Sequence, residues 1–346
     1  MKIKKTIGVT VGKFMPPHLG HQLMIDFGAS MLEQLIVLVD GSNSDEIPVD
    51  LRIKWLQEHY KHNDRVSILQ VTEKVPVTNL EVDAYGTILD VEFWKSWTQI
   101  FQKYAPYATH FVSSDMYGKK AAELLNVKWL PVDIERETFN VSGTKIRSNY
   151  SENIHMMIPE AQSHFRKTVA IIGPESTGKS TLVKLMAKIF NSTGLHEYGR
   201  TITISNENQF TNDDFFLITK GQDTLIKLAK KNGTGPFVLT DTEAYVTYLY
   251  GLLYQKRNFK AIREFAAEQR IDHYIVMAPT VPWVDDGLRV QPNQEERMKF
   301  YDDLISMLIA DGKSFSRVTA DTYQLRSNQV EDILETFYES KTKFTN

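Results

Sequence analysis

The run GPESTGKST, from Gly173 to Thr181, constrains the fold of this chain more than any other feature. It follows a β-branched apolar run, Thr168–Ile172, and precedes the amphipathic run LVKLMAKIF. The pattern GxxxxGK[ST] therefore stands in the strand, loop and helix setting that a phosphate cradle requires. Loop glycines let successive backbone N–H groups curl around phosphate oxygens, and the helix start adds donors and a positive dipole end. On this chemistry Gly173, Pro174, Glu175, Ser176, Thr177 and Gly178 form the loop. Lys179 reaches the β and γ oxygens, Ser180 ligates Mg2+ and Thr181 donates to the α-phosphate.

Similar apolar runs recur at Thr6–Val11, Leu35–Val39, Val66–Val71, His110–Ser113, Phe237–Thr240 and His273–Met277, each followed by a helical pattern. Continuous apolar strands alternating with amphipathic segments predict an α/β fold with mainly parallel sheets. At 346 residues the chain exceeds the size at which one core stops growing, so two domains are expected. The polar stretch Asn149–Lys167, containing Pro159, separates the last motif of the first half from a fresh strand, giving domains at 1–160 and 165–346. No fixed short repeat is present, which sets aside solenoids and propellers.

Composition removes several functions. A hydrophobic share of 42% and a charged share of 24% are ordinary for globular proteins and exclude disordered or fibrous classes. With no cysteine there is no disulfide, thiolate metal site or cysteine nucleophile, and a cytoplasmic location is expected. The start MKIKKTIGVTVGKF breaks too early for a signal peptide, and no run approaches the roughly 18 apolar residues of a membrane span. A net charge of −3 argues against a nucleic-acid partner.

A second phosphate site is legible in the first half. GVTVGKFMPPHLGHQLMI runs from a strand through a Gly and Pro turn into a helix starting near Leu19. That puts His18 and His21 on one face of the first helical turn, with Gly20 leaving room for a phosphate. Gly12, Lys13 and Phe14 belong to the turn. The segment VSGTKIRSNY offers Ser142 as a helix cap, Thr144 as a hydroxyl donor, and Lys145 and Arg147 as cations. Alone, the histidine pair also reads as metal ligation or surface polarity, and the second segment as a capped, solvated helix start.

Together the two segments resemble the HxGH and ISxTxxR signatures of the nucleotidyltransferase superfamily. With SSDMYG at Ser113–Gly118 and VDIERETFNVSGTKIR, the chain looks like the NadR-type enzymes, which join a nicotinamide-mononucleotide (NMN) adenylyltransferase to a ribosylnicotinamide kinase. The resemblance implies a Rossmann-like nucleotidyltransferase domain followed by a P-loop kinase domain. It also implies that His18 and His21 hold the ATP phosphates, that Lys13, Ser142, Thr144 and Arg147 complete the cradle, and that Asp115 binds ribose or base groups. Trp94 and Trp97 read either as packing residues or as stacking surfaces for a nicotinamide ring.

In the second half, Asp241 in PFVLTDTEAY stands where a Walker B carboxylate belongs, as magnesium partner or general base, with Glu243 as second candidate. Glu197 and Arg200 in HEYGRTI face the phosphate acceptor in small-molecule P-loop kinases, and otherwise read as an exposed ion pair. VPWVDDGLRVQPNQEER resembles the lid of the kinase domain, with Arg289 and Arg297 to neutralise transferring charge.

The expected activity is phosphorylation of ribosylnicotinamide to NMN, then adenylyl transfer from ATP to NMN giving NAD, with ATP and Mg2+ as cofactors. Two rivals stay open: a kinase whose first domain is a catalytically weak NAD or NMN sensor, and a nucleotide-sensing interaction protein. The resemblance also leaves open a homo-oligomer and a functional link to a nicotinamide riboside transporter. Some members carry a helix-turn-helix ahead of the first strand, which here begins at Thr6, so no repressor function is expected.

Overall fold

The computed structural model describes residues 5–73, 90–205, 211–284 and 293–342. They form two compact units, one running through Gln162 and the other beginning at Ser163.

The first unit is built on a five-stranded parallel sheet of order β3-β2-β1-β4-β5. Its strands are β1 (Ile7–Gly12), β2 (Gln34–Val39), β3 (Val66–Gln70), β4 (His110–Ser113) and β5 (Lys128–Pro131). The central strands are apolar on both faces because helices cover both, and Val9, Leu35, Val37 and Phe111 are fully buried. The chain winds outward from β1 through β2 to β3, then restarts beside β1 with β4. Strand order therefore reverses between β1 and β4, the kind of switch point at whose carboxyl ends open α/β sheets bind their ligands. Trp94 and Trp97 lie in the core with Phe101 and Phe111, the Trp97 and Phe101 rings stacked at 5.4 Å, so packing is their role.

The second unit holds β6 (Lys167–Ile172), β7 (Thr193–Leu195), β8 (Phe237–Thr240), β9 (His273–Met277) and β10 (Phe315–Val318), in the order β10-β9-β6-β8-β7. All neighbours are parallel, and Ala170 of β6 pairs with Thr240 of β8. The loop after β6 and the residue after Thr240 thus emerge side by side. The strands β5, β7 and β10, outside the seven apolar runs read from the sequence, are edge strands whose residues are mostly only partly buried. Their apolar signal is weak because one side of an edge strand lacks a neighbour. Among the described residues no helix is long and apolar enough to cross a membrane.

Candidate functional site: two nucleotide cradles

In the first unit, β1 ends at Gly12 and the chain turns through Phe14, whose φ of +48° is unusual for an aromatic residue. Its ring is buried against Gly12 and lies 4.7 Å from the His21 ring. The helix Leu19–Met31 then begins with a reciprocal cap. The His18 N–H donates to His21 Nδ1 and the His21 N–H donates to His18 Nδ1, both at 3.3 Å. With each Nδ1 accepting, each neutral ring carries its proton on Nε2. The rings stack 3.6 Å apart. Burial, then Arg136, pushes His18 down to about 4, while burial, His18 and Arg136 hold His21 well below the usual imidazole range. Two neutral imidazoles in this setting are hydrogen-bond donors in wait of negative charge.

The second motif is fastened to the first. Ser142 caps the helix Gly143–Ser148 by accepting from the Lys145 N–H at 3.1 Å. Arg147, 132 residues from Met15, donates to its carbonyl at 2.5 Å, and also pairs with Glu46 at 3.0 Å and reaches the Thr144 hydroxyl at 3.4 Å. A Cβ on Gly20 would meet the His18 ring and Val141 at 3.3 Å, so the absence of a side chain there lets the motifs close up. Lys13 is exposed, its carbonyl accepting from buried Arg52. Lys145 turns back to the Asn140 carbonyl at 3.2 Å. Asp115 enters the site through Arg136, which it pairs with at 2.8 Å. Arg136 was missed by sequence reasoning, although it sits in the quoted run before the SGTKIR segment.

In the second unit a cavity of about 570 Å³ is lined by Glu175, Ser176, Thr177, Gly178, Lys179, Ser180 and Thr181, with Glu197, Arg200 and Asp241. Gly173 has φ +149° and Gly178 φ +85°, and Ser176 is itself left-handed at +58°. A Cβ on Gly173 would stand 2.6 Å from the Met277 carbonyl. Lys179 opens its helix, Lys179–Ile189, and its ammonium crosses the loop to the Pro174 carbonyl at 2.7 Å, where the Thr177 hydroxyl also donates at 2.9 Å.

Asp241 is buried, and its Oδ1 is among the few buried side-chain atoms of the described residues without a hydrogen-bond partner. Its carboxylate shares the cavity wall with Ser180. Burial first, then the charge of Asp241, pushes the Glu197 carboxyl above its usual range against the opposing pull of Lys179 and Arg200. Glu197 and Arg200 do pair, at 3.6 Å, but on the cavity wall. Glu243 is a helix cap, accepting from the N–H groups of Tyr245 at 2.9 Å and Val246 at 3.1 Å, with burial holding its carboxyl up at about 7.

Arg297 requires a correction. It is fully buried and donates to the carbonyls of Glu175 at 3.2 Å and Val281 at 3.3 Å and to Gln294 at 3.1 Å. Its charge supports the loop from behind and does not line the cavity, because a buried guanidinium is drawn to backbone acceptors. Arg289, Asp285 and Asp286 lie outside the described residues. Sequence reasoning also missed the aromatic wall of Tyr250 and Tyr254, parallel rings 5.4 Å apart, with the Tyr254 hydroxyl donating to Glu175 at 2.9 Å. Their four-residue spacing on the helix Ala244–Gln255 was the available signal.

Paired imidazoles at the switch point of one parallel sheet, and a P-loop facing a buried carboxylate on another, define a two-site nucleotide-binding α/β protein. Comparison with known proteins agrees half by half: residues 9–149 match the cytidylyltransferase-like family and residues 168–326 the AAA domain family. The chain is 29% identical over 344 residues to the trifunctional NAD biosynthesis/regulator protein NadR of Escherichia coli (strain K12), covering 93% of this chain and 81% of that protein. The Salmonella typhimurium protein of the same description is 29% identical over 341 residues, with the same coverage. The fold matches the crystal structure of a NadR protein in complex with NR at TM-score 0.64 and 22% identity, covering 96% of both chains. A second structure, of a NadR protein in complex with NAD and AMP-PNP, matches at TM-score 0.64 and 21% identity, over 97% of this chain and 96% of that one. The chain is thus similar to NadR proteins over nearly its whole length, and shares their fold.

Proposed function

We propose that this protein makes NAD in two ATP-dependent steps, phosphorylating ribosylnicotinamide at the P-loop unit and adenylylating the resulting mononucleotide at the histidine-pair unit. The observation that carries the reading is that both cradles are assembled within one chain, each from segments distant in sequence. The division of labour follows the chain, with residues 1–160 transferring the adenylyl group and residues 165–346 transferring the phosphoryl group.

In the kinase step the 5′-hydroxyl of ribosylnicotinamide attacks the γ-phosphorus of ATP, the bond to the β–γ bridging oxygen breaks, and ADP leaves. Lys179 and the loop N–H groups of Glu175 to Thr181 hold the phosphates in line, with Arg200 beside them. Glu197, whose proton affinity is raised by burial and by Asp241, takes the hydroxyl proton. The unpartnered buried oxygen of Asp241 opposite Ser180 fits a hard cation, so these two residues would hold Mg2+. Bound there, Mg2+ supplies charge neutralisation on the β and γ oxygens.

In the adenylyl step the attacking group is the phosphate of NMN, already ionised, so no protein base is needed. An oxygen of that phosphate bonds to the α-phosphorus of ATP and pyrophosphate leaves. His18 and His21, with Arg147, Ser142, Thr144, Lys13 and Lys145, neutralise and align the phosphates, and Asp115 meets ribose or base groups. The Nε2–H of each ring is a donor whose bond strengthens as charge grows on the departing pyrophosphate.

The test is an assay of purified protein with MgATP and ribosylnicotinamide, in which NMN and then NAD are expected; if neither forms, the reading is wrong. Lys179→Ala is expected to abolish NMN formation while sparing adenylylation of supplied NMN. His21→Ala is expected to do the reverse, lowering adenylylation about 10²-fold or more. Matched losses in both assays would contradict separate sites.

A further inference from the structure

Gln222 lies in the middle of the helix Asn212–Asn232, a place where glutamine is ordinarily solvated, yet it is only 1% exposed. A buried amide is costly unless each of its polar atoms is bonded, so its partners identify what it is for. Its Oε1 accepts from the Tyr198 N–H at 2.7 Å. Its Nε2 donates to the Thr240 hydroxyl at 2.9 Å and to the His196 carbonyl at 3.3 Å. His196 and Tyr198 flank Glu197, and Thr240 immediately precedes Asp241. The Thr240 hydroxyl in turn donates to the Thr242 carbonyl at 2.8 Å, so the bonds straddle Asp241 as well.

The polarity of this network admits one arrangement. Because the Thr240 hydroxyl spends its proton on Thr242, it must accept from Gln222, which turns the amide oxygen toward the Tyr198 N–H. The close approach of the Glu197 loop to the helix has its own device. The Tyr198 ring occupies the space that a Cβ on Gly221 would fill, so the ring lies flush on the helix one residue before the amide. Resting on the kinase reading above, we infer that Gln222 is a positioning residue that fixes the separation of Glu197 and Asp241, and with it the geometry of proton acceptance from the substrate hydroxyl.

The groups that face Glu197 are Asp241, Lys179 and Arg200, with Tyr250 and Tyr254 close enough to feel its charge. If the Glu197 loop swings away from Asp241 and into water, the two leading causes of its raised proton affinity weaken together. The acid limb of the kinase pH profile then moves to lower pH, a change that general loosening of the fold does not produce.

The experiment compares the full-length wild type with Gln222→Met, which keeps side-chain volume and removes all three bonds, and with Thr240→Val, which severs only the Asp241 side. For Gln222→Met, kcat for ribosylnicotinamide phosphorylation is expected to fall about 10²-fold, as for a displacement near 1 Å at a reacting group. KM for ATP is expected to stay within about twofold, adenylylation of supplied NMN to be unchanged, and the acid limb to shift to lower pH. Thr240→Val is expected to show the same split with a loss of about 10-fold. An unshifted acid limb, or a loss of ATP affinity that matches the loss of kcat, in either variant would overturn the positioning role. Should Gln222→Met not fold, Thr240→Val decides the matter alone. Absence of kinase activity in the wild type would overturn the functional reading and this inference with it, whereas an active wild type with an unshifted Gln222→Met profile overturns the positioning role alone.

Discussion

His18 and His21 serve their helix and their site with different atoms of the same rings. Each Nδ1 accepts a backbone N–H and closes the helix start, which leaves the Nε2–H as the donor each ring can offer to a ligand. The arrangement has a pH signature. His18 falls from 6.5 when unfolded to about 4 when folded, so the unfolded chain takes up a proton that the folded chain refuses. Its contribution is fully present above pH 6.5 and is lost as pH drops toward 4, an effect on the order of 3 kcal/mol. His18→Asn, which keeps a capping acceptor without the titrating ring, is expected to flatten that dependence. Urea unfolding at pH 7 and pH 5, followed by tryptophan fluorescence, checks it, since Trp55, Trp94, Trp97 and Trp129 all lie in the first unit. The residue types of both sites were legible because each chemistry admits so few. What those residues are bonded to was not, since Arg136, Arg297 and Gln222 owe their roles to neighbours far along the chain.

Among the elements, the P-loop is held in shape as much by what lies behind it as by its own glycines. Arg326 on the helix Tyr323–Thr342 is fully buried and donates to the carbonyls of Thr177 and Ala278 and to the Thr280 hydroxyl, each at 2.6 Å, and to the Ala320 carbonyl at 2.8 Å. Arg326→Met would keep the bulk and leave these acceptors unpaired. A destabilisation of the second unit of about 3 kcal/mol or more is expected, with weakened binding of an ATP analogue. Thermal unfolding and nucleotide titration of the variant measure both. Equal stability and affinity would show that the loop keeps its shape without the brace. The seven apolar runs read from sequence include all the central strands and one edge, β3; the other edge strands, β5, β7 and β10, are three or four residues long and mostly half-buried, too short to carry an apolar pattern. The same locality explains Glu243, where a carboxylate three residues after a strand serves as a cap while Asp241, the first residue after the strand, lines the cavity.

For the whole molecule the central expectation is that the two activities are carried by separate units and meet only through a diffusible mononucleotide. Mixing Lys179→Ala with His21→Ala protein is therefore expected to restore NAD formation from ribosylnicotinamide, although neither variant makes it alone. Failure of the mixture, with each variant retaining its spared half-reaction, would contradict exchange of the intermediate through solution. The sequence by itself determined the α/β class, the two phosphate-binding motifs and the kind of chemistry they perform. It could do so because strand period, loop glycines and helix caps are local properties, written in residues that are neighbours along the chain. Only the tertiary structure decided which charges face the cavities: it turned Arg297 inward as a strut, brought Arg136 to the imidazoles, and tied the chain neighbours of Glu197 and Asp241 to one buried amide. The physical reason is that a buried polar group takes whatever partner folding brings within about 3 Å, and that partner has no fixed distance in sequence.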